Sequence, residues 1–152
     1  MTGERERRRS CLDWFVANPV IGVRAWRHPL IDRCGFDARD SYVEMFWLPI
    51  LGPSAVLAVR RLVDWLEQHP DGFDLDLVEF GASLGIRGGT ARHAQVNRTL
   101  GRLIDFSIAR IEAGHLEVHT SVPPVPLRLR RGLPASLRDA LVEFDRSRLS
   151  TA

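Results

Sequence analysis

Four arginines, Arg87, Arg92, Arg98 and Arg102, recur in a stretch that holds no carboxylate between Glu79 and Asp105. A guanidinium offers a planar fork of donors that fits phosphate oxygens and the major-groove edge of guanine. Gln95 adds the paired donor and acceptor that suit adenine, and Thr90 and His93 add further polar groups. Such a set can recognise a polyanion without making or breaking a bond. Arg92, Gln95 and Arg98 are the candidates for base edges, with His93 beside them, and Arg87, Thr90 and Arg102 are the candidates for phosphates at the rim. The bland alternative is a solvated polar face.

Bond-making chemistry has little to stand on. None of the five histidines pairs in sequence with a convincing nucleophile, and there is no glycine-rich phosphate loop or serine elbow. His115 and His119 on one strand would stand about 13 Å apart, too far to share an ion. Cys11 and Cys34 match no zinc spacing and are expected to be free thiols. No enzyme activity, cofactor or metal is expected.

The elements that must carry these residues can be read from spacing. Asp76 and Glu79 form a capping box opening a short helix with Leu77, Phe80 and Leu84 on one face, which Gly85 stops. After Gly88-Gly89, Thr90 is placed to cap a second helix, 90–105, whose apolar positions are Val96, Leu100, Leu103 and Ile104. Upstream, Pro53 at a first helical position opens a helix with Ala55, Val59, Leu62 and Leu66 in a stripe, and Pro70-Asp71-Gly72 ends it. Phe73-Asp74-Leu75 is a short strand, expected to pair with the hairpin that follows. Downstream, the alternation of Leu116 and Val118 with Glu117 and His119, after Ala113-Gly114, predicts a hairpin.

Composition sets the frame. At 152 residues, 45% hydrophobic and 26% charged, the chain suits one globular core with extensions. The net charge of +2 is too small to imply nucleic acid, so that inference rests on where the charge sits. All 21 basic residues are arginine, which fits a GC-rich genome as well as phosphate recognition. The uncharged run from Met45 to Val59 is broken by Pro49 and Gly52-Pro53 and is too short to span a membrane, and the N-terminus makes a poor signal peptide. A cytoplasmic protein is expected.

The expected organisation has five parts. Residues 1–10 form a flexible basic arm, either a solvated terminus or an arm that touches phosphates. Residues 11–53 form an N-terminal extension packing on the core, with Leu12–Val23 as an irregular strap and Tyr42–Leu51 as a dense apolar block that is buried or forms an interface. Residues 54–120 hold the main domain, 121–133 a connection rich in proline and arginine, and 134–146 a last helix presenting Leu137, Leu141 and Phe144.

From Ser54 to Thr120 the order of helix, capped short helix, arginine-bearing helix and hairpin resembles the winged helix-turn-helix superfamily. The run from Tyr42 to Ser54 is also similar to one in uncharacterised actinobacterial proteins. The superfamily resemblance implies a mainly α fold with a small β-hairpin wing, N- and C-terminal extensions, and binding of double-stranded DNA through the third helix, here 90–105, in the major groove. A transcriptional regulator, acting as a dimer, is the expected role. Two features run against the pattern: Ser107 stands where glycine or asparagine usually turns the chain, and the wing carries Glu112 and Glu117. The alternative is a winged-helix module that binds another protein through Met45–Leu51 and the last helix, without DNA.

Overall fold

The computed structural model describes residues 2–86, 89 and 91–150. It is mainly helical, with a small mixed sheet. Where proline and glycine punctuate the chain, helices begin and end as their chemistry requires. Helix α4 (Pro53–Gln68) starts on Pro53 and buries Ala55, Val59, Leu62 and Leu66 along one face. In α5 (Leu77–Ser83) the Asp76 carboxylate accepts from the Glu79 amide at 3.0 Å, and Gly85 at φ 74 turns the chain out. Helix α6 (Gln95–Asp105) packs Val96, Leu100 and Leu103 against α4 and α5. The hairpin of β4 (Ala109–Glu112) and β5 (His115–Val118) turns through Ala113 and Gly114, both at positive φ.

Two expectations are corrected, and a third, which left two outcomes open, is narrowed to one. The first concerns residues 1–17. The flexible basic arm of residues 1–10 and the first part of the irregular strap are one helix, α1 (Thr2–Ala17), which Pro19 follows. Arginine and glutamate are good helix formers, and Cys11, Leu12 and Phe15 form an anchoring side that buries against α6. The charged residues at 4–9 are carried along by that anchor.

The second concerns the sheet. Phe73–Asp76 (β3) does not pair with the hairpin, because β1 (Val20–Ala25) lies between them, giving the order β3-β1-β5-β4. β1 is antiparallel to β3, with Ile21 opposite Leu75, and parallel to β5, with Val23 opposite Leu116. Ile21 and Val23 point into the core while Val20 stays exposed, the period-two pattern of a half-buried strand. Gly22 belongs in this strand because a Cβ there would stand 2.6 Å from the His115 ring.

The third concerns Tyr42–Leu51 and the last helix. A single π-turn segment, 43–47, runs into α3 (Leu48–Leu51) and buries Phe46, Trp47 and Leu51, leaving Met45 exposed. Trp47 Nε1 donates to the Pro123 carbonyl at 2.8 Å, and the Val125 amide donates to the Tyr42 hydroxyl at 3.0 Å, which pins the proline-rich connection. Within this neighbourhood α2 (Pro29–Cys34) leads into β2 (Phe36–Asp37), which pairs with β6 (Ser121–Val122). The short α7 (Leu127–Arg130) precedes α8, which runs Ala135–Ser150, past the expected 146, and docks with Leu141 fully buried. Phe144 packs against Phe36, Tyr42 and Phe46, so the C-terminal helix closes the chain's own core.

Among the described residues no helix is long and apolar enough to cross a membrane. Both cysteines are free thiols, Cys11 buried and Cys34 exposed.

His119 is the buried polar group with a consequence for stability. Its ring stacks on Trp26 at 3.8 Å, and its Nδ1–H donates to the Trp26 carbonyl at 3.0 Å. Burial holds its pKa below the ordinary imidazole value. The unfolded chain therefore takes up a proton that the folded chain resists. The stability this contributes is complete above about pH 6.5 and declines as pH falls below it. Melting temperature should drop between about pH 7.5 and pH 5, and His119→Gln should flatten that drop; an equally steep drop in the variant would assign it elsewhere.

Candidate nucleic-acid interface

Helix α6 is shorter than expected. It runs Gln95–Asp105 and not 90–105, with Ala91–Ala94 in a turn that the buried Asn97 holds by donating to the Ala91 carbonyl at 3.1 Å. Of the candidate contacts, Arg87 and Thr90 lie outside the described residues. His93 is exposed in the turn, and Gln95 and Arg98 are exposed on the first turns of the helix. Gln95, Arg98, Arg102 and Asp105 make a narrow exposed stripe, the remainder of α6 being buried or half-buried.

Two of the arginines are engaged. Arg92 precedes the helix and reaches α1, its Nε standing 3.0 Å from the Asp13 carboxylate without hydrogen-bonding alignment. This corrects the expectation that it sits on the helix, free of acidic neighbours: no carboxylate is near it in sequence, and α1 folds one against it. Arg102 donates from Nε to the Leu51 carbonyl at 2.9 Å and from Nη2 to the Ile50 carbonyl at 2.7 Å, with its guanidinium 5.5 Å from the centre of the Phe106 ring. It is a cap on α3 before it is a phosphate contact. The Arg98 side chain has no ion pair or hydrogen bond among the described residues, its backbone amide donating to the Ala94 carbonyl at 3.1 Å.

The reason lies in a chain break beside α6. Helices α3 and α4 would run on as one but for Gly52, at φ 84 and ψ 161, a region almost reserved for glycine, followed by Pro53. The break frees the Ile50 and Leu51 carbonyls, which Arg102 takes. It also frees the amides of Ser54 and Ala55, which have no backbone partner among the described residues. No side chain caps this helix start and no acidic residue stands in its first turn. Its partial positive charge is therefore uncompensated.

These groups line one cleft of about 580 Å³. One wall is α1, through Arg8 and Leu12; another is Leu51–Ala55; the floor is α6, through Gln95, Arg98, Thr99, Gly101 and Arg102, with His93 at the rim. The lining holds three arginines and no carboxylate. Helix α1 is held in place by Leu12 above Gly101 and by an ion pair of 2.7 Å from Arg8 to Asp105. Cys11 lies under this contact, and burial, with Asp105 adding to it, pushes its thiol up to about 12.

No family model, curated protein or solved structure matches this chain. What the site can do is therefore argued from its own groups.

Ser54, Ala55 and Thr99 were missed in the sequence, and Arg8 was read only as part of an arm that could touch phosphates. Pro53 at a first helical position already implied two unpaired amides after it, and Arg8 stands one helical turn before Leu12. No sequence signal brings α1 onto α6. The hairpin's charge is also milder than its sequence suggests, since Glu117 pairs with Arg110 across the strands at 3.2 Å.

The division between Arg102 and Arg98 is testable. Arg102→Ala leaves two carbonyls without their charged donor and should lower stability by roughly 1–2 kcal/mol. Arg98→Ala should stay within about 0.5 kcal/mol of the parent. Urea melts decide it, and equal losses would mean that Arg102 does not cap α3.

Proposed function

We propose that this protein binds double-stranded DNA and acts as a transcriptional regulator. In this reading α4, α5 and α6 are the three helices of a winged helix-turn-helix and β4–β5 is its wing. The order of the elements supports it, with β1 as an added strand between β3 and the hairpin. The observation that carries it is Arg98. Among the described residues the Arg98 side chain has neither a carboxylate nor a carbonyl partner, and it stands exposed in the cleft beside Arg8 and Arg102. An unpaired cation among cations costs free energy in the isolated protein and is relieved by a polyanion.

Gln95, on the first turn of α6, is the residue we assign to a base edge, and Arg98 to a phosphate. Arg92 and His93 stand at the margin, where Arg92 reaches DNA only by sharing its charge with Asp13. The alternative of a protein-binding module without DNA has less to support it. The surface it would use is spent inside the chain, with Phe46, Trp47 and Leu51 buried and Leu141 docked on the core.

Fluorescence anisotropy with a mixed-sequence duplex at several salt concentrations tests the proposal. The parent should bind with an affinity that falls as salt rises, and Arg98→Ala should reduce the slope of log affinity against log salt by about 0.9. No binding to any duplex at low salt, or an unchanged slope in a variant that melts like the parent, would overturn it.

A further inference from the structure

The cleft does more than frame α6. We propose that it is a binding site for the phosphate group of a small phosphorylated molecule, a role that does not depend on DNA binding. The head group is received by the free amides of Ser54 and Ala55 at the start of the sixteen-residue α4, with Arg98 supplying charge from α6.

A helix start alone would be ordinary, but Thr99 is a second and independent sign. Thr99 is 6% exposed, it lines the cleft, and its hydroxyl has no hydrogen-bond partner among the described residues. A helical threonine usually satisfies its hydroxyl on the carbonyl four residues back, and this one does not. The hydroxyl is not fully enclosed, and Thr99 is part of the cleft lining. A hydroxyl that opens on a cleft and has no protein partner is free to bond water there, or a ligand that displaces that water. Two amides, a hydroxyl and a guanidinium are all donors, arriving from two helices in a cleft without a carboxylate, and three terminal oxygens of a phosphate can accept from them together.

The volume and the apolar wall say that the phosphate comes attached to something. About 580 Å³ is the size of a pocket for a metabolite and far more than a bare ion needs. Leu12, Leu51 and Pro53 give an apolar surface for the body of such a molecule. Because Leu12 belongs to α1, an occupant would bridge α1 to α4 and α6.

The probe is phenyl phosphate, with inorganic phosphate, phenol and a short DNA duplex as separate arms, followed by amide shifts in heteronuclear NMR and by calorimetry on the full chain. Phenyl phosphate at up to about 10 mM should saturate shifts at Ser54, Ala55 and Thr99, bind more tightly than inorganic phosphate, and leave phenol without effect. Thr99→Val, which keeps the side chain's shape, should weaken binding about tenfold while melting close to the parent, and Arg98→Gln should weaken it at least as much. The proposal is overturned if phenyl phosphate shifts none of these amides. It is also overturned if inorganic phosphate binds as tightly, or if Thr99→Val binds as the parent does. If the duplex moves the Ser54 and Ala55 amides and phenyl phosphate does not, the donors serve the DNA backbone and the small-molecule site is overturned while DNA binding stands. A duplex that fails to bind where phenyl phosphate succeeds overturns DNA binding and leaves the phosphate site standing.

Discussion

The break at Gly52-Pro53 is the constraint on which the rest of the site depends. One glycine in a conformation that other residues avoid, followed by one proline without an amide hydrogen, splits what would be a continuous helix. A split helix must place two kinds of orphan group: carbonyls at its first end and amides at its second. Here the carbonyls of Ile50 and Leu51 go to Arg102, and Ser54 and Ala55, whose amides have no backbone partner among the described residues, line the cleft. The same interruption therefore ties α6 to α3 and leaves a positive helix end beside Arg98. Buried Trp47, just before α3, and Leu51, its last residue, keep the break from moving.

Around that centre the charges are divided unequally. Arg39 holds Asp37, Asp64 and Glu67 together at the far end of α4, and Arg130 holds Asp145. Such pairs fix segments to one another and contribute little to stability where they are exposed. The cleft receives the opposite treatment. Arg8 is partly neutralised by Asp105, Arg102 is occupied by carbonyls, and Arg98 has no carboxylate at all among the described residues. The consequence is a positive concavity in a chain whose formal net charge is only +2.

The local chemistry was legible in the sequence. Asp76 as a cap, Gly85 as a stop, Pro53 as a first helical residue and Ala113-Gly114 as a turn are each decided by neighbours within four residues, and each stands where expected. What depended on distant contacts was not legible. Residues 4–9 are polar all round and read as a frayed arm, because the anchor that makes them helical is Cys11, Leu12 and Phe15 meeting α6 about ninety residues later. Val20–Val23 read as the end of an irregular strap because Pro19 and Gly22 interrupt the periodicity, whereas here a Cβ at position 22 would meet the His115 ring. Arg92 and Arg102 looked equivalent to Arg98 by spacing and charge. Only folding shows that Asp13 and two carbonyls engage the first two.

The claim that the exposed stripe of α6 meets DNA is tested most directly by proximity. Benzoylphenylalanine placed at Gln95 on α6, and at the exposed Met45 and Val142 on other elements, can be irradiated with a labelled duplex. The account predicts a crosslink from position 95 and none from 45 or 142. Crosslinks from 45 or 142 with none from 95 would contradict it.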